Sequence, residues 1–63
     1  MFNSDIEYIT VWEAAMYLRV SRSKIYTLIH IYDLPHTRLG RYIRIPTADF
    51  NRWISDHTYP STN

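Results

Sequence analysis

The sequence has no cysteine, a single glycine and only three prolines in 63 residues. Without cysteine, neither a disulfide framework nor a thiolate metal site can reinforce the fold. A chain this short buries only about 60% of the surface its unfolded form exposes, so its core is small. The longest apolar run, Ala14 to Leu18, has five residues, far below the roughly 18 that a membrane span needs. The opening MFNSDIEYI carries acids where a secretory signal carries bases. Chemistry-bearing clusters are missing as well. His30, His36 and His57 have no metal-ligand spacing and no grouped acids beside them. No motif sets a serine nucleophile against a histidine base. The expectation is a cytoplasmic, non-enzymatic protein without metal, cofactor or membrane contact. One domain is expected over residues 1–57, with a flexible tail at 58–63.

Aromatic residues are what the chain has in abundance: two Trp, six Tyr and two Phe. Each such ring can bury roughly 150–250 Å² and so compensate for the small size. Net charge is +1, but it is unevenly placed. Residues 1–18 hold Asp5, Glu7 and Glu13 and no base. Residues 19–44 hold Arg19, Arg22, Lys24, Arg38, Arg41 and Arg44 against Asp33 alone. The bland reading is an uneven solvated surface; the sharper one is a face for an acidic polymer, the footprint of nucleic-acid binding.

ITVWEAAMYL contains Thr10 with Glu13 three residues on, the pattern of a capping box, and Ile9 and Ala14 sit at hydrophobic-staple positions. Val11, Ala14, Ala15 and Leu18 then form one helical stripe. Trp12 and Met16 lie off it. Trp12 reads either as a ring covering a neighbouring turn or as a candidate contact between protomers. Arg19 and Val20 separate this helix from a second one capped by Ser21, with Val20 expected to plug the gap between them. Helix, short turn and helix make a helix-turn-helix unit. On a wheel of about 100° per residue, Ile25, Leu28, Ile29 and Tyr32 share one sector of the second helix. Arg22, Ser23, Tyr26, Thr27 and His30 share the other, with Lys24 on its flank and no acid among them. Such a helix offers its first turn to the major groove of DNA. Arg22 suits the bidentate contact to guanine. Ser23 lets the backbone approach, Lys24 suits a phosphate, and Tyr26 and Thr27 reach phosphate or a thymine methyl.

DLPHTRLGRYIRIP reads as a hairpin turning at Gly40. A two-residue loop, Gly40–Arg41, pairs Leu39 with Tyr42 and puts Arg38 on the face of Ile43. A three-residue loop, Gly40–Arg41–Tyr42, pairs Leu39 with Ile43 and Thr37 with Ile45. The second gathers the apolar residues on one face and is preferred. It sets Arg38 opposite Arg44, an unfavourable pair that a phosphate between or beside them relieves. With Arg41 and Tyr42 at the tip, the hairpin reads as a basic wing laid on a DNA backbone or minor groove. PTADFNRWISDH closes the fold, with Pro46 expected at the first helical position and Asp49 near the positive end of the helix dipole. Phe50, Trp53 and Ile54 are expected to cover the core. The fold class is therefore mainly α with a small β-hairpin, a winged helix-turn-helix: helix-turn-helix, hairpin wing, C-terminal helix.

The pieces TVWEAA, VSRSKIY, LPHTRLGRYIRIP and DFNRWI, in that order over residues 8–54, resemble the excisionase family of small winged helix-turn-helix proteins, related to the DNA-binding domains of MerR-type regulators. Such proteins bind and bend DNA beside recombination sites of phages and mobile elements, often as cooperative arrays, and direct an integrase toward excision. Some also repress transcription. The resemblance implies Arg22, Ser23, Lys24 and Tyr26 for the recognition helix, and Arg38, Arg41 and Arg44 for the wing. Its partners would be double-stranded DNA, a tyrosine or serine integrase, and further copies of itself. The chain departs from the family at Arg19 and Tyr32, where glycines are usual, and at Trp12, where a polar residue is usual. Two alternatives stand beside the excisionase reading. One is a small repressor on the same fold. The other is a protein-interaction module using Tyr8, Trp12 and Tyr17, which a flat salt response would favour.

Overall fold

The computed structural model describes residues 7–59. Residues 1–6 lie outside the described residues, as do residues 60–63 of the tail expected at 58–63; Thr58, its first residue, is bonded through its amide and hydroxyl to the Ser55 and Ile54 carbonyls, at 3.2 and 2.6 Å. In chain order the elements are β1 (Tyr8–Thr10), α1 (Val11–Leu18), α2 (Arg22–Ile31), β2 (Thr37–Leu39), β3 (Tyr42–Pro46) and α3 (Thr47–Asp56). The strands form one antiparallel sheet in the order β1-β3-β2. Three helices and a hairpin-bearing sheet make the winged helix-turn-helix expected from the sequence.

The capping box forms. The Thr10 amide donates to Glu13 Oε1 at 2.8 Å, and the Glu13 amide donates to Thr10 Oγ1 at 3.0 Å. These bonds fix the start of a helix only eight residues long, which would not persist alone in water. Packing supplies the rest, because Val11, Ala14 and Ala15 are buried.

α1 ends on Arg19, which takes the left-handed conformation (φ 58, ψ 46). The Arg19 amide donates to the Met16 carbonyl at 3.2 Å, and the Val20 amide to that of Ala15 at 3.0 Å. This pair of bonds is the Schellman closure that glycine normally serves. The turn is kept without glycine, at the steric cost of a Cβ in that region. Arg19→Gly is expected to raise stability by about 1 kcal/mol, a rise in melting temperature of roughly 4–8 °C for a domain of this size. A lower melting temperature would mean that the Arg19 side chain stabilises the fold by more than its backbone strain.

At the end of α2 the left-handed residue is Asp33 (φ 59), not Tyr32, whose φ is −110. The glycine-replacing position is thus one residue later than the family resemblance implied. Aspartate tolerates this region better than tyrosine, because its short polar side chain can bond locally. The Tyr32 and Leu34 amides both donate to the Leu28 carbonyl, at 3.1 and 3.0 Å. The chain reverses and carries Leu34 into the core.

The wing corrects the preferred register. Leu39 pairs with Tyr42, Arg38 with Ile43 and Thr37 with Arg44. The loop is therefore Gly40–Arg41, with two residues. Gly40 has φ 63, and Arg41 is not among the residues of positive φ. Positive φ at the glycine in the first central position and not at the second fits the type II′ pattern, whose twist matches that of the flanking strands. Turn chemistry outweighs apolar alternation here. Leu39 is left on the outer face, 60% exposed beside Tyr42. Arg38 and Arg44 are consequently not opposed. Arg38 shares the face of Ile43, and Arg44 lies on the other face.

β1 was not anticipated from the sequence. It pairs Ile9 with Ile45 and Thr10 with Arg44, so β3 becomes the central strand. Thr47 joins the same edge, its amide and hydroxyl donating to the Glu7 carbonyl at 2.8 and 3.0 Å. Pro46 is the N-cap of α3 and the last residue of β3, one position before the helical start expected for it. Its ring has no amide to give either element, so it fits the junction of both.

Val11, Ala14, Ala15, Ile25, Ile29, Leu34, Ile43, Ile45 and Phe50 form the core, with Ile9, Leu18, Leu28, Trp53 and Ile54 packed around it. Val20 and Tyr32 depart from expectation, because both are exposed. The Schellman closure spends Val20 on backbone geometry, and Tyr32 falls where α2 has already ended. Among the described residues, no helix is long and apolar enough to cross a membrane, and no group of three or more His, Cys, Asp or Glu could hold a metal ion.

Candidate nucleic-acid interface

α2 starts from Ser21, whose hydroxyl oxygen accepts from the Lys24 amide at 3.1 Å. Ser21 therefore acts as a cap. That bond fixes the phase of α2, turning Ile25 and Ile29 into the core and Arg22 and Tyr26 outward. The first turn of α2 contains no acid.

Arg22 and Tyr26 line one wall of a cleft. The wing supplies Arg41, Tyr42 and Arg44 to the same cleft, with Ile43 below them, and the β1–α1 junction contributes Thr10, Val11 and Trp12. The cleft thus gathers three guanidiniums and three aromatic rings, with no carboxylate in its lining. Unopposed positive charge in a concave surface concentrates the local potential and favours an anionic polymer.

Tyr42 organises the wing's share of that charge. The Arg41 guanidinium lies 5.9 Å from the Tyr42 ring centroid, and the Arg44 guanidinium 5.6 Å. Arg44 also donates from a terminal guanidinium nitrogen to the Ile43 carbonyl at 3.0 Å. One ring therefore holds two like charges that would otherwise spread apart. Tyr42→Ala is expected to weaken duplex binding by about 0.5–1 kcal/mol, evenly across sequences, and Tyr42→Phe to leave it near the native value. Fluorescence anisotropy with a labelled duplex measures both. Equal losses in the two variants would assign the effect to the hydroxyl instead.

The remaining expected residues stand apart from the cleft. Ser23, Lys24 and His30 are exposed along α2. Thr27 is half-buried, and its hydroxyl donates to the Ser23 carbonyl at 3.1 Å. It is therefore spent within the helix as a donor, with its methyl still available. Arg38 lies on the edge strand and faces away from Arg44. Trp12, Thr10 and Val11 were not expected here. The sequence marked Trp12 as a large ring off the buried stripe. Its nearness to the wing arises from β1 pairing with β3, which no local pattern reports.

Residues 8–58 match the family model of the helix-turn-helix domain. No curated protein and no solved structure matches the chain. The family match indicates binding to double-stranded DNA. Spanning most of the chain, it assigns the protein to the helix-turn-helix domain family typical of excisionase-like small DNA-binding proteins.

Proposed function

We propose that the protein is an excisionase: it binds and bends DNA beside an attachment site of a phage or mobile element and so directs an integrase toward excision. The observation that carries the DNA-contacting part is the shared cleft. Arg22 on the recognition helix and Arg41 and Arg44 on the wing line one concavity. A duplex can therefore take α2 in its major groove while the wing follows the adjacent backbone or minor groove. Arg22 reads guanine. Ser21 caps α2, and Ser23, Lys24, Tyr26, Thr27 and His30 lie along it. Arg41 and Arg44, held by the Tyr42 ring, take phosphates, while Arg38 on the other face of the wing lies outside this grip. The order and spacing of the four excisionase-like sequence pieces support the recombination role. The protein works by occupying and shaping DNA, as a cooperative array next to the integrase arms, and not by catalysis.

Footprinting across the attachment region and the nearest promoter of the element tests this. The expected result is repeated protection beside integrase arm sites, with enhanced cleavage where the duplex is bent. Protection of a lone promoter operator would overturn the recombination role in favour of a repressor on the same fold.

A further inference from the structure

Resting on the DNA-binding reading above, we propose that Trp12 is a direct DNA contact, its indole lying against the sugar–phosphate strand that runs between recognition helix and wing. Trp12 is the second residue of α1, and the capping bonds of Thr10 and Glu13 hold that helix start in place. Trp12 is 57% exposed, yet it belongs to the cleft that Arg22, Tyr26, Arg41 and Tyr42 line. An exposed indole on a soluble surface has two ready occupants: a second protein copy or a nucleic-acid strand. Charge decides between them. A second copy docking the same face here would bring two sets of Arg22, Arg41 and Arg44 together with no carboxylate in the lining to pair them. A DNA strand brings the opposite charge to every one of them. Indole suits such a strand, because its apolar body covers deoxyribose carbons while Nε1–H can donate to a phosphate oxygen. The contact carries no base information. It sets how deeply the first turn of α2 enters the groove.

The test uses the whole chain and a labelled mixed-sequence duplex of about one and a half helical turns, roughly 15 base pairs, too short for adjacent copies to touch. Trp12→Ala is expected to weaken binding about tenfold on this duplex, with the order of preference among duplexes unchanged. Trp12→Phe, which keeps a ring but loses the donor, is expected to fall between native and alanine. Circular dichroism and Trp53 emission establish that both variants are folded. Native affinity of both variants on the short duplex would overturn the contact. So would a loss confined to longer duplexes that hold several copies, which would assign Trp12 to a protomer interface. Failure of the native protein itself to bind any duplex would be a different result, removing the DNA reading and this contact with it.

Discussion

Phe50→Ala is expected to lower the unfolding free energy by about 3–5 kcal/mol, the largest effect of any single substitution considered. Phe50 is 1% exposed and is among the largest fully buried side chains of the described residues. It joins α3 to the core, and its ring meets Tyr17 of α1 edge-on, with centroids 5.9 Å apart. Alanine leaves a void between α3 and the core, and a domain this small has little freedom to collapse around it. Marginal stability of about 0.05–0.15 kcal/mol per residue gives 63 residues only a few kcal/mol in total. Thermal unfolding followed by circular dichroism should show a midpoint lowered by more than about 10 °C, or no cooperative transition at all. Phe50→Leu, which keeps most of the volume, should melt close to the native protein. A Phe50→Ala midpoint within a few degrees of native would show α3 to be an appendage of the fold and not its lid.

Local physics was legible in the sequence, and long-range pairing was not. The capping box at Thr10 and Glu13, the Ser21 cap and the stripes of Val11, Ala14, Ala15 and of Ile25, Ile29 involve residues within one or two turns of each other. Their spacing alone therefore fixed them. The wing register was decided by a competition that the apolar pattern could not settle. Alternation favoured Leu39 against Ile43, but a glycine at positive φ closes a two-residue loop without strain, and Leu39 accepts exposure beside Tyr42. At a hairpin tip there is no core to reward the other choice. β1 has three residues and no turn of its own. Its partner β3 lies about 35 residues along the chain, so it exists only once the rest of the fold is built. The cleft inherits that dependence. Arg22, Arg41 and Arg44 were individually legible as cations, but Trp12 enters the cleft only because β1 places the start of α1 beside the wing.

The cleft's consequences are sharpest at Arg22. Arg22→Ala is expected to lose about 1–3 kcal/mol on the preferred site and to relax base preference at one position, as removal of a bidentate guanine contact does. Arg41→Ala, by contrast, should weaken every duplex by a similar factor and lower the salt slope by about one, the mark of a phosphate contact. The asymmetry follows from position. Arg22 is the first residue of α2, where a helix end meets base edges. Arg41 is at the tip of a two-residue turn held over the Tyr42 ring, with reach along the backbone and little into the groove. Affinity selection from a randomised duplex pool, followed by salt titration on the selected site, reads both properties in one series. If Arg22→Ala retains the native base preference and loses only salt-dependent affinity, α2 grips phosphate and sequence is read elsewhere. If Arg41→Ala leaves both unchanged, the hairpin does not touch DNA, and the shared cleft ceases to be a two-sided grip.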